Sequence, residues 1–344
     1  MKSKNLIASV LIAASLTTAV STVVTISGSM ITTTFADSTS TASSDSSAAS
    51  SSATQIHNLS KSYVVYGAGA SQQSTLKTIL GVTDNYEQLT TTGADAQQYL
   101  GLSGVADSAM ISSVAVAPAE PGSGILVNIK DFNGKNNISQ VTSQQYSMAA
   151  TMAGVKDVII TVSANQAVSG EAALAGVYKA LEADGATLDS ANTEAANNVM
   201  NATQDAINAN SGDSSYAGKL TSAVTKTAGE VAQKKQDGQT ITINIIVNQL
   251  NINLNKQGIA DETSSTQVQN IATALKDVAD APISNSSAFV TQAKDLAGRL
   301  SSSVGNVMAQ AKDFANSADV KQAANWFITN IWNPVVSWFQ SIFG

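Results

Sequence analysis

Residues 111–129 read ISSVAVAPAEPGSGILVNI and carry the clearest structural signal in the chain. Ile111, Val114 and Val116 belong to one β run, and Ile125, Val127 and Ile129 alternate strictly in a second. Alternation with a period of two puts one set of side chains on a single face of a strand. Between the runs lies Pro118-Ala119-Glu120-Pro121-Gly122-Ser123-Gly124. Proline presets φ and glycine reaches positive φ without steric cost, so this is a turn sequence. The two runs predict an antiparallel hairpin.

Toward the amino terminus, Tyr63-Val64-Val65-Tyr66 reads as a strand and Gly67-Ala68-Gly69 as a turn. A helix then starts at Ser71, carries Leu76, Ile79 and Leu80, and stops at Gly81. Tyr86 to Thr92 reads as a short strand and Ala94 to Leu100 as a short helix. Toward the carboxyl terminus, Thr142 is suited to cap a helix that runs through Met152 and ends at Gly154. Lys156-Asp157 opens a strand, Val158-Ile159-Ile160-Thr161-Val162. Ser169-Gly170-Glu171 then starts a helix with Leu174, Val177, Tyr178 and Leu181 on one face.

Beyond Asp189 the spacing is helical almost throughout. Leu220, Val224 and Val231 share a face, as do Val268, Ile271, Leu275 and Val278. Phe289, Ala293, Leu296, Leu300, Val304, Val307, Ala311 and Phe314 predict one long helix with a narrow seam. Residues 240–254 read both ways. Ile241, Ile243 and Ile245 alternate as in a strand, Ile245, Gln249 and Ile252 keep helical spacing, and β-branched propensity favours strand. The expected fold class is α+β, with a small mixed α/β part over residues 62–185 and a mainly α-helical part over 186–318.

Several short sequences carry a resemblance. They are Ile111-Ser112-Ser113-Val114, Pro121-Gly122-Ser123-Gly124-Ile125, Ala153-Gly154-Val155-Lys156-Asp157, and Val168-Ser169-Gly170-Glu171-Ala172-Ala173-Leu174-Ala175-Gly176. In order and spacing over about residues 62–185, and more loosely to about 280, the chain resembles the DUF1002 family of exported bacterial proteins. The resemblance implies a signal peptide, an α/β amino-terminal part and a helical remainder, and it tips residues 240–254 toward helix. It supplies no catalytic residues, because the family has no established activity to carry over.

The chain's two ends differ from its middle. Lys2 and Lys4 precede the apolar run Leu6 to Ala14, no charge follows until Asp37, and Thr34-Phe35-Ala36 offers small residues for cleavage. Residues 1–36 therefore read as an export signal cleaved near Ala36, with retention as a signal anchor the alternative. Residues 37–61 read as a Ser-rich linker, of which 37–54 cannot bury a core. Residues 319–344 read as an amphipathic carboxyl-terminal helix holding all three tryptophans. Trp326, Phe327, Trp332, Trp338, Phe339 and Phe343 are candidates for membrane or partner contact, against docking on the protein's own core or self-association.

The residue inventory narrows the chemistry. Cysteine is absent and His57 is the single histidine, so disulfides, thiolate catalysis, Cys-based metal sites and multi-histidine sites are excluded. The net charge of −7 disfavours nucleic acid as a partner. No cofactor is expected. Ser169 and Gly170, between a strand and a helix, are candidate contacts for an anion or carboxylate; the alternative is a Ser N-cap with Gly170 and Gly176 allowing close packing. Ser74-Thr75-Leu76-Lys77 matches the S-x-x-K of penicillin-recognising enzymes without its partner motifs, and reads more simply as a solvent face. Asp131 to Asn137 superficially suggests a calcium loop, but an Asn-Gly turn explains it better. The leading functional expectation is a secreted envelope protein that binds or builds. An extracellular hydrolase lacking Cys and His, and membrane association through the carboxyl terminus, are the alternatives.

Overall fold

The computed structural model describes residues 55–303. Its amino-terminal half is a five-stranded sheet made of β1 (Ser62–Gly67), β2 (Tyr86–Thr91), β3 (Ser113–Pro118), β4 (Ile125–Ile129) and β5 (Val158–Ser163), in the order β2-β1-β3-β5-β4. β1 pairs parallel with β2, and β4 pairs parallel with β5, whereas β3 runs antiparallel to β1 and β5. Both β runs of residues 111–129 are strands, but they do not form the expected hairpin. β5 lies between them, pairing Val116 with Ile160 on one edge and Val127 with Ile160 on the other.

The reason is in the turn. β5 is buried at five of its six positions, as a strand covered on both faces and both edges is. The loop after β3 must then span two strand spacings, about 10 Å. Asp157, at the foot of β5, holds it there. The Asp157 backbone carbonyl accepts from Ala119 N, and its Oδ1 accepts from Gly122 N and Gly124 N at 3.1 and 2.8 Å. Asp157 sits at φ 50, which turns its carboxylate back into the loop. Arg299 donates to Ser123 O from the other side.

Helices cover the sheet unequally. α1 (Gln73–Ile79) lies on one face, where Leu76 and Leu80 pack with Val64, Tyr66, Ala115 and Phe132. α2 (Gly93–Leu100), α3 (Ser143–Met152) and α4 (Glu171–Ala183) lie on the other, over Tyr63, Val65, Val114, Val116, Val127, Ile160 and Val162. Gly176 lets α4 approach closely, since a Cβ there would sit 2.8 Å from Val114 Cγ1. Every residue of α3 is buried. Its two glutamines bond inward, while Thr151 Oγ1 is buried without a hydrogen-bond partner. Gln145 closes a capping box with Thr142, and its Nε2 donates to Met200 O and Thr203 Oγ1, both at 3.0 Å. Gln144 Nε2 donates to Ser303 Oγ at 3.1 Å.

The remainder is helical: α5 (Ser190–Ala209), α6 (Tyr216–Gln236), α7 (Ile243–Gln257), α8 (Ser265–Asp280) and α9 (Ser287–Leu300). The class is α+β, as expected. The predicted stripes Leu220, Val224, Val231 and Val268, Ile271, Leu275, Val278 are buried, and one continuous core passes from the sheet across residue 185 into these helices. Residues 243–257 are helix, against β-branched propensity. Thr242 accepts from Ile245 N to cap α7, Ile246, Leu250 and Leu254 enter the core at helical spacing, and Gly258 at φ 71 ends it.

Two further differences are local. α9 stops at Leu300 where the seam Phe289 to Phe314 predicts continuation; Val304 onward lies outside the described residues. Ser301, Ser302 and Ser303 return their hydroxyls to the carbonyls of Gly298, Arg299 and Leu300, which satisfies groups the helix end leaves open. The folded body also begins before Ser62. His57 N donates to Gly154 O at 2.7 Å, Lys156 N donates to His57 O at 2.9 Å, and Leu59 is buried.

Candidate functional site

β1, β2, β4 and β5 are parallel, so their carboxyl ends and the start of β3 meet at one end of the sheet. Ligands of open α/β sheets gather at this end because loops and helix N-termini converge there. Three loops do so here: Gly67–Gln72 after β1, Thr91–Gly93 after β2 and Ala164–Gly170 after β5.

Backbone packing fixes the first two loops. Ala68 N donates to Thr91 O and Gly69 N to Met110 O, both at 2.8 Å, and Gly67 N donates to Ser113 Oγ at 3.2 Å. A Cβ on Gly67 would overlap Met110 O, and one on Gly69 would overlap Ser108 O, so only glycine permits this approach. Thr92 and Asp95 form a capping box at the start of α2, and Lys179 Nζ bonds Asp95 Oδ2 at 2.8 Å.

The third loop is tied to the first by a two-way amide bridge. Asn165 Oδ1 accepts from Ser71 N at 3.2 Å, and its Nδ2 donates to Ser71 Oγ at 2.8 Å. Ser71 is exposed and Asn165 half-buried, so this bridge forms a polar lip open to solvent. Ser163 Oγ donates to Lys130 O at 3.0 Å, and buried Asn137 Nδ2 donates to Ala164 O at 2.9 Å. Lys130, at the end of β4, has its ammonium pKa pushed down to about 8 by burial, with nearby Asp131 opposing the shift. The lip therefore offers hydroxyl and amide groups.

Ser169 and Gly170 end the third loop, where Ser169 O accepts from Val141 N at 3.0 Å. Gly170, at φ 117, is the residue that caps α4; Ser169 does not cap it, and its Oγ donates to Glu171 Oε2 at 3.2 Å. Ser112 Oγ, reaching from the start of β3, accepts Ala173 N at 2.9 Å, which occupies one free N–H of the helix end. Tyr146 OH donates to Gly170 O at 2.6 Å. A Cβ on Gly170 would lie 2.6 Å from that hydroxyl, so the glycine is demanded by packing as well as by φ.

The other sequence candidates fall elsewhere. Ser74 and Lys77 are both exposed on α1, and Lys77 Nζ pairs with Asp84 at 3.4 Å. Asn133 at φ 51 and Gly134 at φ 79 make a tight turn closed by mutual Phe132–Lys135 backbone bonds, while Phe132 is buried under the sheet. Trp326, Phe327, Trp332, Trp338, Phe339 and Phe343 lie outside the described residues, as does Ala36. Among the described residues no group of three or more His, Cys, Asp or Glu is placed to hold a metal ion. The sequence reading missed Ser71, Asn165 and Lys130. Their available signal was position, each standing just beyond a strand end.

A mixed sheet with four parallel strands, polar loops at their carboxyl ends and a helical remainder sharing its core defines the class: an α+β protein with a hydrogen-bonding lip. The chain belongs to the family described as "Protein of unknown function (DUF1002)", whose model matches residues 66–296. It is 36% identical over 124 residues to "Uncharacterized protein YpuA" of Bacillus subtilis (strain 168). That alignment covers 35% of this chain and 41% of the relative, so the chain spans well under half the relative's length. No solved structure matches it.

Proposed function

We propose that the chain is exported through residues 1–36 and acts outside the cytoplasmic membrane as a non-catalytic binding protein of the cell envelope, with the lip around Ser71, Asn165 and Ser169 as its contact surface. The Ser71–Asn165 bridge carries this reading. Hydroxyl and amide groups held in place by backbone packing are suited to recognising a polar ligand by hydrogen bonds. Export rests on the basic, apolar and small-residue order of the first 36 residues.

Two measurements test it. Fractionation of cells producing the whole chain or the chain without residues 1–36 should find the first outside the cytoplasmic membrane and the second in the cytoplasm; equal distribution contradicts export. The exported form should co-sediment with isolated cell envelopes, and Asn165→Ala should weaken that retention about tenfold, the scale of one or two lost hydrogen bonds. Retention unchanged in Asn165→Ala removes the lip from the account.

A further inference from the structure

α7 is a helix built from a strand-forming sequence. Between Asp237 and Lys256 the chain has no charged residue, and Ile241-Thr242-Ile243-Asn244-Ile245-Ile246-Val247 contains neither Pro nor Gly. Read with a period of two, Ile241, Ile243, Ile245 and Val247 line one strand face. That combination of β-branched residues, no charge and no breaker is the signature of segments that pair with copies of themselves. Its Asn residues strengthen the case, because stacked Asn side chains bond to one another along such an assembly.

As a helix, the same segment is held mainly by its surroundings. Ile, Val, Asn and Thr are poor helix formers, so tertiary contacts supply the stability. α7 sends Ile246, Leu250, Asn253 and Leu254 into the core. Its contact with α6 is an amide ladder: Gln249 Nε2 donates to Glu230 Oε2 at 2.8 Å, Asn253 Nδ2 donates to the same oxygen at 2.7 Å, and Gln257 Nε2 donates to Ser222 Oγ at 3.1 Å. The ladder is imperfect. Asn253 is buried and its Oδ1 has no partner, a cost that is relieved when the helix lifts away. Ile243, Ile245 and Val247 are only half-buried, and Ile252 is 47% exposed.

We infer that residues 241–247 are a convertible segment: when α7 opens from α6 and α8, they pair as a strand with the same segment of a second copy of this chain, giving ordered self-association by β-pairing. The conversion breaks the amide ladder and the helical bonds, and replaces them with bonds between chains. Pairing in register then stacks identical side chains, so a charge placed in the segment opposes it.

The test uses the chain purified from producing cells, incubated below its unfolding midpoint in mild denaturant, with sedimentation and the intermolecular β band of the amide infrared spectrum as readouts. The variant Asn244→Glu with Asn248→Lys changes two exposed positions four residues apart, which supports the helix and places like charges on one another in the assembly. A matched control places the same pair on α8, as Gln269→Glu with Thr273→Lys, also exposed. The wild type and the α8 control should gain the β band together with sedimenting material, and the α7 variant should do so at least about tenfold more slowly. Association without the β band, an α7 variant as fast as wild type, or an α8 control as slow as the α7 variant would each overturn the inference.

Discussion

Strand β5 and helix α7 start from nearly the same kind of sequence. Val158-Ile159-Ile160-Thr161-Val162 and Ile241-Thr242-Ile243-Asn244-Ile245-Ile246-Val247 are both β-branched, uncharged and free of Pro and Gly. The first becomes the buried strand between β3 and β4, and the second leads into a helix packed on α6 and α8 with Ile246, Leu250, Asn253 and Leu254 buried. The difference lies in what each segment can bond to. β5 has a partner strand on each edge, so an extended backbone satisfies every N–H and C=O. Among the described residues α7 has no strand beside it and closes its bonds locally, and Thr242 and Gly258 supply the ends. Backbone partners agree with side-chain preference in β5 and outrank it in α7.

Substitutions in the two regions should therefore differ in size. Ile160→Ala, at the fully buried centre of β5, is expected to cost about 2–5 kcal/mol in chemical denaturation. Ile252→Ala, 47% exposed on α7, should change stability by less than about 0.5 kcal/mol. Equal losses would mean that α7 is as deeply integrated as the sheet. Gly176→Ala pushes a methyl against Val114 and Val65 over the sheet and should cost about 1–3 kcal/mol, with a matching fall in Tm.

On α7 the expected effects are smaller and of both signs. Thr242→Ala removes the cap at Ile245 N and should cost about 1 kcal/mol. Asn244→Ala, at an exposed helical position, should stabilise by a few tenths of a kcal/mol because alanine is the better helix former. Destabilisation by Asn244→Ala would show that asparagine there does more than tolerate the helix.

The smallest expected effect is a pH dependence at the amino-terminal edge of the body. Burial holds the His57 pKa below 6.5, so the folded state binds fewer protons than the unfolded one as pH falls. Its contribution is complete above the unfolded value near 6.5 and declines as pH drops below it. His57→Gln should flatten the slope of stability between pH 6.5 and about 5. An unchanged slope would place the titration on another group.

Strand positions were legible because their side chains alternate locally. Their pairing was not, because β5 enters from 29 positions after the end of β4 (158 − 129), and the Asp157 carboxylate that replaces the hairpin turn directly precedes it. The stripes of α8 and α9 were legible as faces, but the Ser301–Ser303 stop on α9 depends on hydroxyls bonding back to the last carbonyls. At the candidate site, Ser169 and Gly170 could be singled out from a strand running into a helix. Ser71 and Asn165 are 94 positions apart, and only the parallel arrangement of β1 and β5 across β3 brings them into contact. The capping role shifted from Ser169 to Gly170 because Tyr146 and Ser112, both distant in sequence, take the neighbouring groups.

Native-state hydrogen exchange across a denaturant series compares the two segments in one molecule. The amides of β5 should exchange only with global unfolding, with the full denaturant dependence, while those of α7 should exchange through a smaller local opening at lower free energy. α7 amides protected to the same free energy and slope as β5 would contradict the claim that this helix is held mainly by its surroundings.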